Sequence, residues 1–422
     1  MKQIYKTRAL FAALLLLLLS ATSCEDFLEA PLPPDKITTD KVYGAKGTIE
    51  MAMVGVYSKA SNYYGSGSLI QTTEELADNL NYNPPANIDV LANSEYDASN
   101  SKELDGLWTS SYGAIFQANN MLQSLPAETA NLTDAETDQY TAENLFLRAL
   151  MYFELVRMYG DVPLILTTDP KETQSVARTP KADVYAAIIA DLKDVMARLP
   201  ETNIDGLDAR RCANRYVAEA LLARIYLFMG DYANAETAAT SVINSGNYTL
   251  ETDLTGVIMR RSSEIIFAMD GNVSYAPNSC YIYTFYGMPM SYQMMPMAYA
   301  WSYTGWGCLT QTAIDEFEAG DQRFATLYTY SSEGNVFSLK YPYGPFNQEL
   351  ADADPQDHCV LRLSEMHLIR AEAKARKTSP DLAGAAADLN LIRTLHGGLP
   401  ETTAATQSEM LAALEHENRV EF

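Results

Sequence analysis

The residues best suited to chemistry lie in one uncharged run. Positions 271–314 hold no Lys, Arg, Asp or Glu, in a chain that is 20% charged. Within the run stand Tyr281, Tyr283, Phe285, Tyr286, Tyr292, Tyr299, Trp301, Tyr303 and Trp306. Gly, Pro, Ser, Thr, Asn and Gln fill the spaces, and neither a helical nor a strand period persists. This composition suits a neutral, hydroxyl-rich ligand. A pyranose has apolar C–H faces that lie on flat aromatic rings, while its hydroxyls seek Asn, Gln and Tyr partners. Rigid aromatic side chains also lose little entropy on binding. Tyr283, Tyr286, Tyr292, Trp301 and Trp306 are the ligand-binding residues assigned to the run. The competing reading makes these aromatics core, but stretches broken by Gly and Pro belong on surfaces. Met288, Met290, Met294, Met295 and Met297 read as gap-fillers.

No enzyme constellation accompanies the run. Glycosidases use two carboxylates that flank the scissile bond, and the abundance of Asp and Glu is not such an arrangement. H-E-x-x-H, G-x-S-x-G and phosphate-binding loops do not occur in the sequence. His358, His367, His396 and His416 are scattered and read as incidental. Asp352-x-Asp354-x-x-Asp357 hints at calcium, yet the Gly and distal Glu of an EF-hand loop are not in place. Neither a cofactor nor a metal is assigned. The formal net charge of −24 argues against nucleic acid and anionic headgroups as partners. Cys212, Cys280, Cys308 and Cys359 show no C-x-x-C spacing, so a zinc or redox motif is not expected. Cys280 and Cys308 bracket most of the aromatic run, as a disulfide or as buried thiols.

The N-terminus reads as an export signal. Lys2, Lys6 and Arg8 precede an apolar run over 9–19, and small residues follow up to Cys24. A Cys in that position resembles the acylation site of bacterial lipoproteins. Acyl chains there anchor a protein without spanning the bilayer, at roughly 0.8 kcal/mol per buried methylene. Glu25-Asp26 resembles the acidic signal that sends some lipoproteins to the cell surface. A Pro-rich extended tether follows.

The rest must position the run, and it is mostly helical. Apolar spacing predicts helices over 47–61, 104–125, 140–159 and 183–199. The stretch 216–243 predicts a helical hairpin. Ala218, Leu221, Leu222, Ile225 and Met229 form one face; Gly230 ends the first helix and Asp231 caps the second. Tyr232, Ala235, Ala239, Val242 and Ile243 repeat the face. A strand is expected over 264–270. A second hairpin is expected from 361–376 and 382–395, and a last helix from 408 onward.

Several of these stretches together resemble one family, the RagB/SusD-like outer-membrane lipoproteins. The Ser23-Cys24-Glu25-Asp26-Phe27-Leu28 start is similar to the family's beginning. Arg148-Ala149-Leu150-Met151-Tyr152-Phe153-Glu154-Leu155-Val156-Arg157-Met158-Tyr159-Gly160-Asp161-Val162-Pro163-Leu164 resembles its most recognisable signature. The hairpin at 216–243 resembles a tetratricopeptide (TPR) unit, which buries its face by stacking on neighbours. Asp388-Leu389-Asn390-Leu391-Ile392-Arg393 and 417–422 resemble the family's late motifs. The resemblance implies a mainly α fold, a SusD-like α/α superhelix of TPR-like hairpins with long irregular loops and minor β. It implies a signal peptide at 1–23, a tether at 24–46 and one domain from 47 to 422 that stops before the family's last motif is complete. It further implies an outer-membrane, surface-exposed protein without enzymatic activity, serving nutrient uptake. Its partners would be an oligosaccharide, or a peptide as in some members, and a SusC-like TonB-dependent barrel. Because family members also bind ligand through an early loop, Asp78, Asn81 and Tyr82 join the candidate site. A TPR scaffold without a small ligand is the remaining alternative; such a scaffold has no use for the uncharged run.

If Cys24 carries acyl chains, Cys24→Ala leaves the protein soluble or uncleaved. Detergent-phase partition and acyl labelling measure this, and an unchanged result in both refutes the anchor.

Overall fold

The computed structural model describes residues 39–65, 68–82, 97, 99, 102–128, 132–201, 210–269, 307–330, 334–340 and 357–422. Among them, helices dominate. In chain order they are α1 (Thr39–Tyr43), α2 (Lys46–Gly65), α3 (Ser68–Leu76), α4 (Lys102–Glu128), α5 (Asp134–Tyr159), α6 (Pro170–Thr173) and α7 (Lys181–Arg198). Then come α8 (Arg215–Met229), α9 (Tyr232–Asn244), α10 (Gln311–Asp315), α11 (Gln322–Leu327), α12 (Leu363–Arg376), α13 (Leu382–Leu395) and α14 (Gln407–Glu421). Three two-stranded antiparallel ribbons complete the set: β1 (Leu80–Tyr82) with β3 (Gly307–Leu309), β2 (Ile265–Met269) with β6 (His358–Arg362), and β4 (Tyr328–Tyr330) with β5 (Val336–Ser338). No helix among the described residues is long and apolar enough to cross a membrane.

α5 is the spine. It starts at a capping box, in which the Thr133 hydroxyl accepts from Glu136 N–H and the Glu136 carboxylate accepts from Thr133 N–H. It is buried on every side from residue 142 to residue 156, because α2, α4, α7 and α8 all pack on it. The expected face of Phe146, Ala149, Leu150, Phe153 and Val156 is buried, and so are the residues between. Phe146 meets Phe267 of β2 edge-on, with centroids 4.9 Å apart. Polar residues on such a helix need partners. Arg148 grips Asp191 of α7 through two bonds of 2.8 Å and reaches the Asn119 amide of α4. Glu154 accepts from the Tyr63 and Tyr64 hydroxyls of α2 at 3.1 and 3.2 Å. After Gly160, at φ +69°, the chain is fastened back by Tyr152, whose hydroxyl donates to the Ile165 carbonyl and accepts from its N–H.

The hairpin at 216–243 forms as its residues predict. Gly230 takes the left-handed conformation at φ +77°, and the Asp231 carboxylate accepts from Asn234 N–H. α9 packs on α12 and α12 on α13, so paired helices stack along the chain. Three expectations need correction. Met229 is 42% exposed, because it lies in the last turn of α8, beside the Gly230–Asp231 connection. Residues 361 and 362 end β6, and α12 begins at Leu363, since their backbone pairs with β2. The stretch read as a tether, 24–46, gives way to helix at Thr39, and Tyr43 is already buried in the core.

Glu143 links the spine to solution pH. It is buried on α5 with the Gln139 amide donating to it, and burial pushes its pKa up to about 7. An acid raised in this way stabilises the fold fully below its unfolded pKa, near 4.5, and that contribution is lost as pH rises through 7. Glu143→Gln keeps an acceptor for Gln139 and cannot ionise. We expect the variant to gain stability over the wild type between pH 4.5 and pH 8, by on the order of 3 kcal/mol at the upper end. Denaturant melts across that range check it, and parallel curves for the two proteins contradict it.

Candidate functional site

The early candidates and the end of the uncharged run meet in one ribbon. β1 pairs with β3 in the register Leu80↔Leu309, Asn81↔Cys308, Tyr82↔Gly307. Asn81 and Tyr82 therefore lie on a strand hydrogen-bonded to the residues that directly follow Trp306. Leu80 and Cys308 are buried and anchor the ribbon to the body. Tyr283, Tyr286, Tyr292, Trp301 and Trp306 lie outside the described residues, as does Cys24.

The ribbon begins at a tight corner. Asp78 is exposed and sits at φ +59°, alone among the described non-glycine residues in having a positive φ. Asp tolerates this region better than most residues, but the conformation still costs roughly 1–2 kcal/mol and persists only where neighbours hold it. Here they do. Asn79 N–H donates to the Glu74 carbonyl and its side-chain amide to the Glu74 carboxylate, both at 2.8 Å. The Asn79 amide oxygen accepts from Arg419 of α14 at 3.2 Å. From the other strand, the Thr310 hydroxyl donates to the Asp78 carbonyl at 2.7 Å, and Thr310 N–H donates to the Asn79 carbonyl at 2.9 Å. Thr310 also caps α10 by accepting from Ala313 N–H. Sequence reasoning found neither Thr310 nor Arg419. They lie 232 and 340 residues from the corner they hold, and nothing in their neighbours marks them.

A cavity of about 600 Å³ lies under the ribbon, with Leu80, Leu309, Phe153, Phe228 and Tyr328 in its walls. Most of its charged groups are bound to one another, Arg157 to Glu154, Arg224 to Glu365, Arg323 and Arg362 to Glu421, while Lys340 donates to the Glu421 and Phe422 carbonyls. Such charged walls differ from the uncharged composition of residues 271–314.

Two of the histidines read as incidental, His367 and His396, belong to buried networks instead. His396 is fully buried, with Nδ1 2.9 Å from Glu421 and Nε2 donating to the Glu251 carbonyl at 3.1 Å and lying 3.4 Å from Glu264. Burial works against the imidazolium, but Glu264 and Glu421 outweigh it and push the pKa up to about 9. The three side chains could in principle ligate a metal, since their donor atoms lie within 4.8 Å of one another. Arg362, however, stands 3.0 Å from Glu421 and 3.6 Å from Glu264, so a guanidinium already holds the cation position. His367 lies 3.2 Å from Asp388, which also takes Arg370 and Lys374 and so ties α12 to α13. Burial pushes His358 down to about 4. His416 lies between Glu316 and Glu318. The calcium-like spacing meets the same objection as the metal cluster. Asp357 is buried and gripped bidentately by both Arg211 and Arg260, while Asp352 and Asp354 lie outside the described residues.

Comparison with known proteins places this geometry. Residues 26–227 match the SusD-like family model described as "Starch-binding associating with outer membrane", and residues 330–422 match the model of the SusD family shared with RagB. "SusD-like protein P2" of Formosa agariphila is 27% identical over 237 residues, 55% of this chain and 45% of that protein. A SusD-like protein of Bacteroides ovatus is 25% identical over 245 residues, 56% of this chain and 42% of its own length. The chain thus spans about half the length of the curated relatives it matches. Among solved structures, a SusD superfamily protein from Parabacteroides distasonis superposes with a TM-score of 0.73 at 21% identity, over 92% of this chain and 86% of the other. A "Laminarin binding SusD-like protein" gives 0.72 at 23%, over 90% and 89%. "Surface glycan-binding protein A" from Bacteroides uniformis gives 0.73 at 20%, over 90% and 85%. At such identities the structures speak for the fold, and the two family models speak for descent: the chain belongs to the SusD/RagB family.

Proposed function

We propose that this protein is a cell-surface lipoprotein, anchored through Cys24, that binds a neutral oligosaccharide and hands it to a SusC-like TonB-dependent barrel for uptake. The observation that carries the reading is the β1–β3 ribbon, which sets the strand of Asn81 and Tyr82 against the end of the uncharged aromatic run. Ligand contacts are assigned to Asp78, Asn81, Tyr82, Tyr283, Tyr286, Tyr292, Trp301 and Trp306. Two similar structures carry names that point the same way, one a laminarin binder and one a surface glycan-binding protein. The protein acts by binding and needs neither catalytic residue nor cofactor. Aromatic faces take the apolar side of each sugar ring, and the polar residues between them take its hydroxyls. The barrel supplies passage, which a helical scaffold cannot.

A glycan array probed with the soluble body identifies the sugar; binding only to peptides contradicts the reading. Trp301→Ala and Trp306→Ala then test the site. Removing a stacking platform costs roughly 1–3 kcal/mol, so affinity falls about tenfold to a hundredfold while the melting temperature holds. If these residues are core, the pattern reverses. Stability then drops by roughly 3–5 kcal/mol, and the protein that remains folded binds normally.

A further inference from the structure

We propose that Thr310 is a positioning residue for ligand recognition, acting through the Asp78–Asn79 corner. The assignment rests on the glycan-binding reading above. Three bonds meet at this residue: hydroxyl to the Asp78 carbonyl at 2.7 Å, N–H to the Asn79 carbonyl at 2.9 Å, and Ala313 N–H to the hydroxyl at 3.1 Å. The hydroxyl thus spends its donor on the corner and an acceptor on the helix that follows β3, so one group fixes both. This matters because the left-handed backbone at Asp78 is not self-sustaining. On its own side of the ribbon the corner is tied to Glu74 of α3. Thr310 and Arg419 tie it to two distant parts of the chain. Without the hydroxyl, Asp78 is free to relax toward ordinary backbone angles, and the register of Leu80, Asn81 and Tyr82 against β3 loosens from its first pair. The exposed Asp78 side chain and the strand beyond it then lose their fixed direction. Preorganisation of this kind sets affinity without any direct contact to the ligand.

The test pairs Thr310→Val, which keeps the shape and removes the hydroxyl, with Thr310→Ser, which restores it. Arg419→Met loosens the other side of the corner from a half-exposed site and provides a second variant. The probes are laminarin- and starch-derived oligosaccharides, titrated calorimetrically into the soluble body, with melting temperature and hydrogen exchange of the 80–82 and 307–310 amides measured on the same samples. We expect Thr310→Val to bind about fivefold to tenfold more weakly, the worth of one hydrogen bond. Its β1–β3 amides exchange faster, the melting temperature stays close to that of Thr310→Ser, and the Ser variant recovers the affinity. Arg419→Met shifts affinity in the same direction. Wild-type binding with unchanged affinity in Thr310→Val and Arg419→Met overturns the assignment alone. Wild-type protein that binds neither these glucans nor any glycan of the array overturns the glycan reading and this assignment with it; a different glycan found on the array replaces the glucans as the probe.

Discussion

A helix buried on every side has nowhere to put a charge except against another charge or a hydrogen-bonding group. α5 is such a helix, and the rest of the structure follows from how it meets that constraint. Arg148 reaches outward to Asp191 and Asn119, which fixes α7 and α4 around it. Glu154 is held by two tyrosines of α2 and by Arg157. The bonds to Asp191, Asn119, Tyr63 and Tyr64 also tell the neighbouring helices where to sit. Apolar contact alone would leave those helices free to slide, since many registers bury similar area. The cost of an unpaired buried charge removes most of these alternatives.

The same logic operates at the far end of the chain. Arg323, Arg362 and His396 collect Asp321, Glu264, Glu417 and Glu421 into one buried network that ties α14 to β6, to the end of α13 and to the start of α11. α14 in turn sends Arg419 to Asn79. The scaffold is therefore densely cross-linked where Arg419 meets the corner that begins the β1–β3 ribbon. Binding residues carried on such a support keep their geometry, and that rigidity lets irregular loops recognise a ligand.

Much of this fold was legible from local pattern. The 216–243 hairpin could be read residue by residue, because Gly at a left-handed position and Asp at a cap have local causes. The helix expected over 382–395 also forms, and Asp381 caps it by accepting from Gly384 N–H. What could not be read were interactions that exist only in three dimensions. Nothing around Arg323 announces Glu417 and Glu421, nor does anything around Asp357 announce two arginines. His367, His396 and His416 looked incidental because their partners lie 21 to 145 residues away. Composition singled out the uncharged run, and family resemblance suggested Asp78, Asn81 and Tyr82. That the strand of Asn81 and Tyr82 lies beside residues 307–309 of the run depends on a pairing of β1 with β3 that no periodicity reveals.

In the proposed function, recognition is neutral: aromatic faces and hydroxyl partners, rather than ion pairs, hold the ligand. Ionic strength tests this most directly. We would titrate the soluble body with the neutral oligosaccharide that it binds, at salt from about 0.05 to 0.5 M, a range over which the screening length falls severalfold. The account predicts an affinity that changes by less than about twofold, whereas a fall of roughly tenfold or more would mean that charged groups carry the ligand.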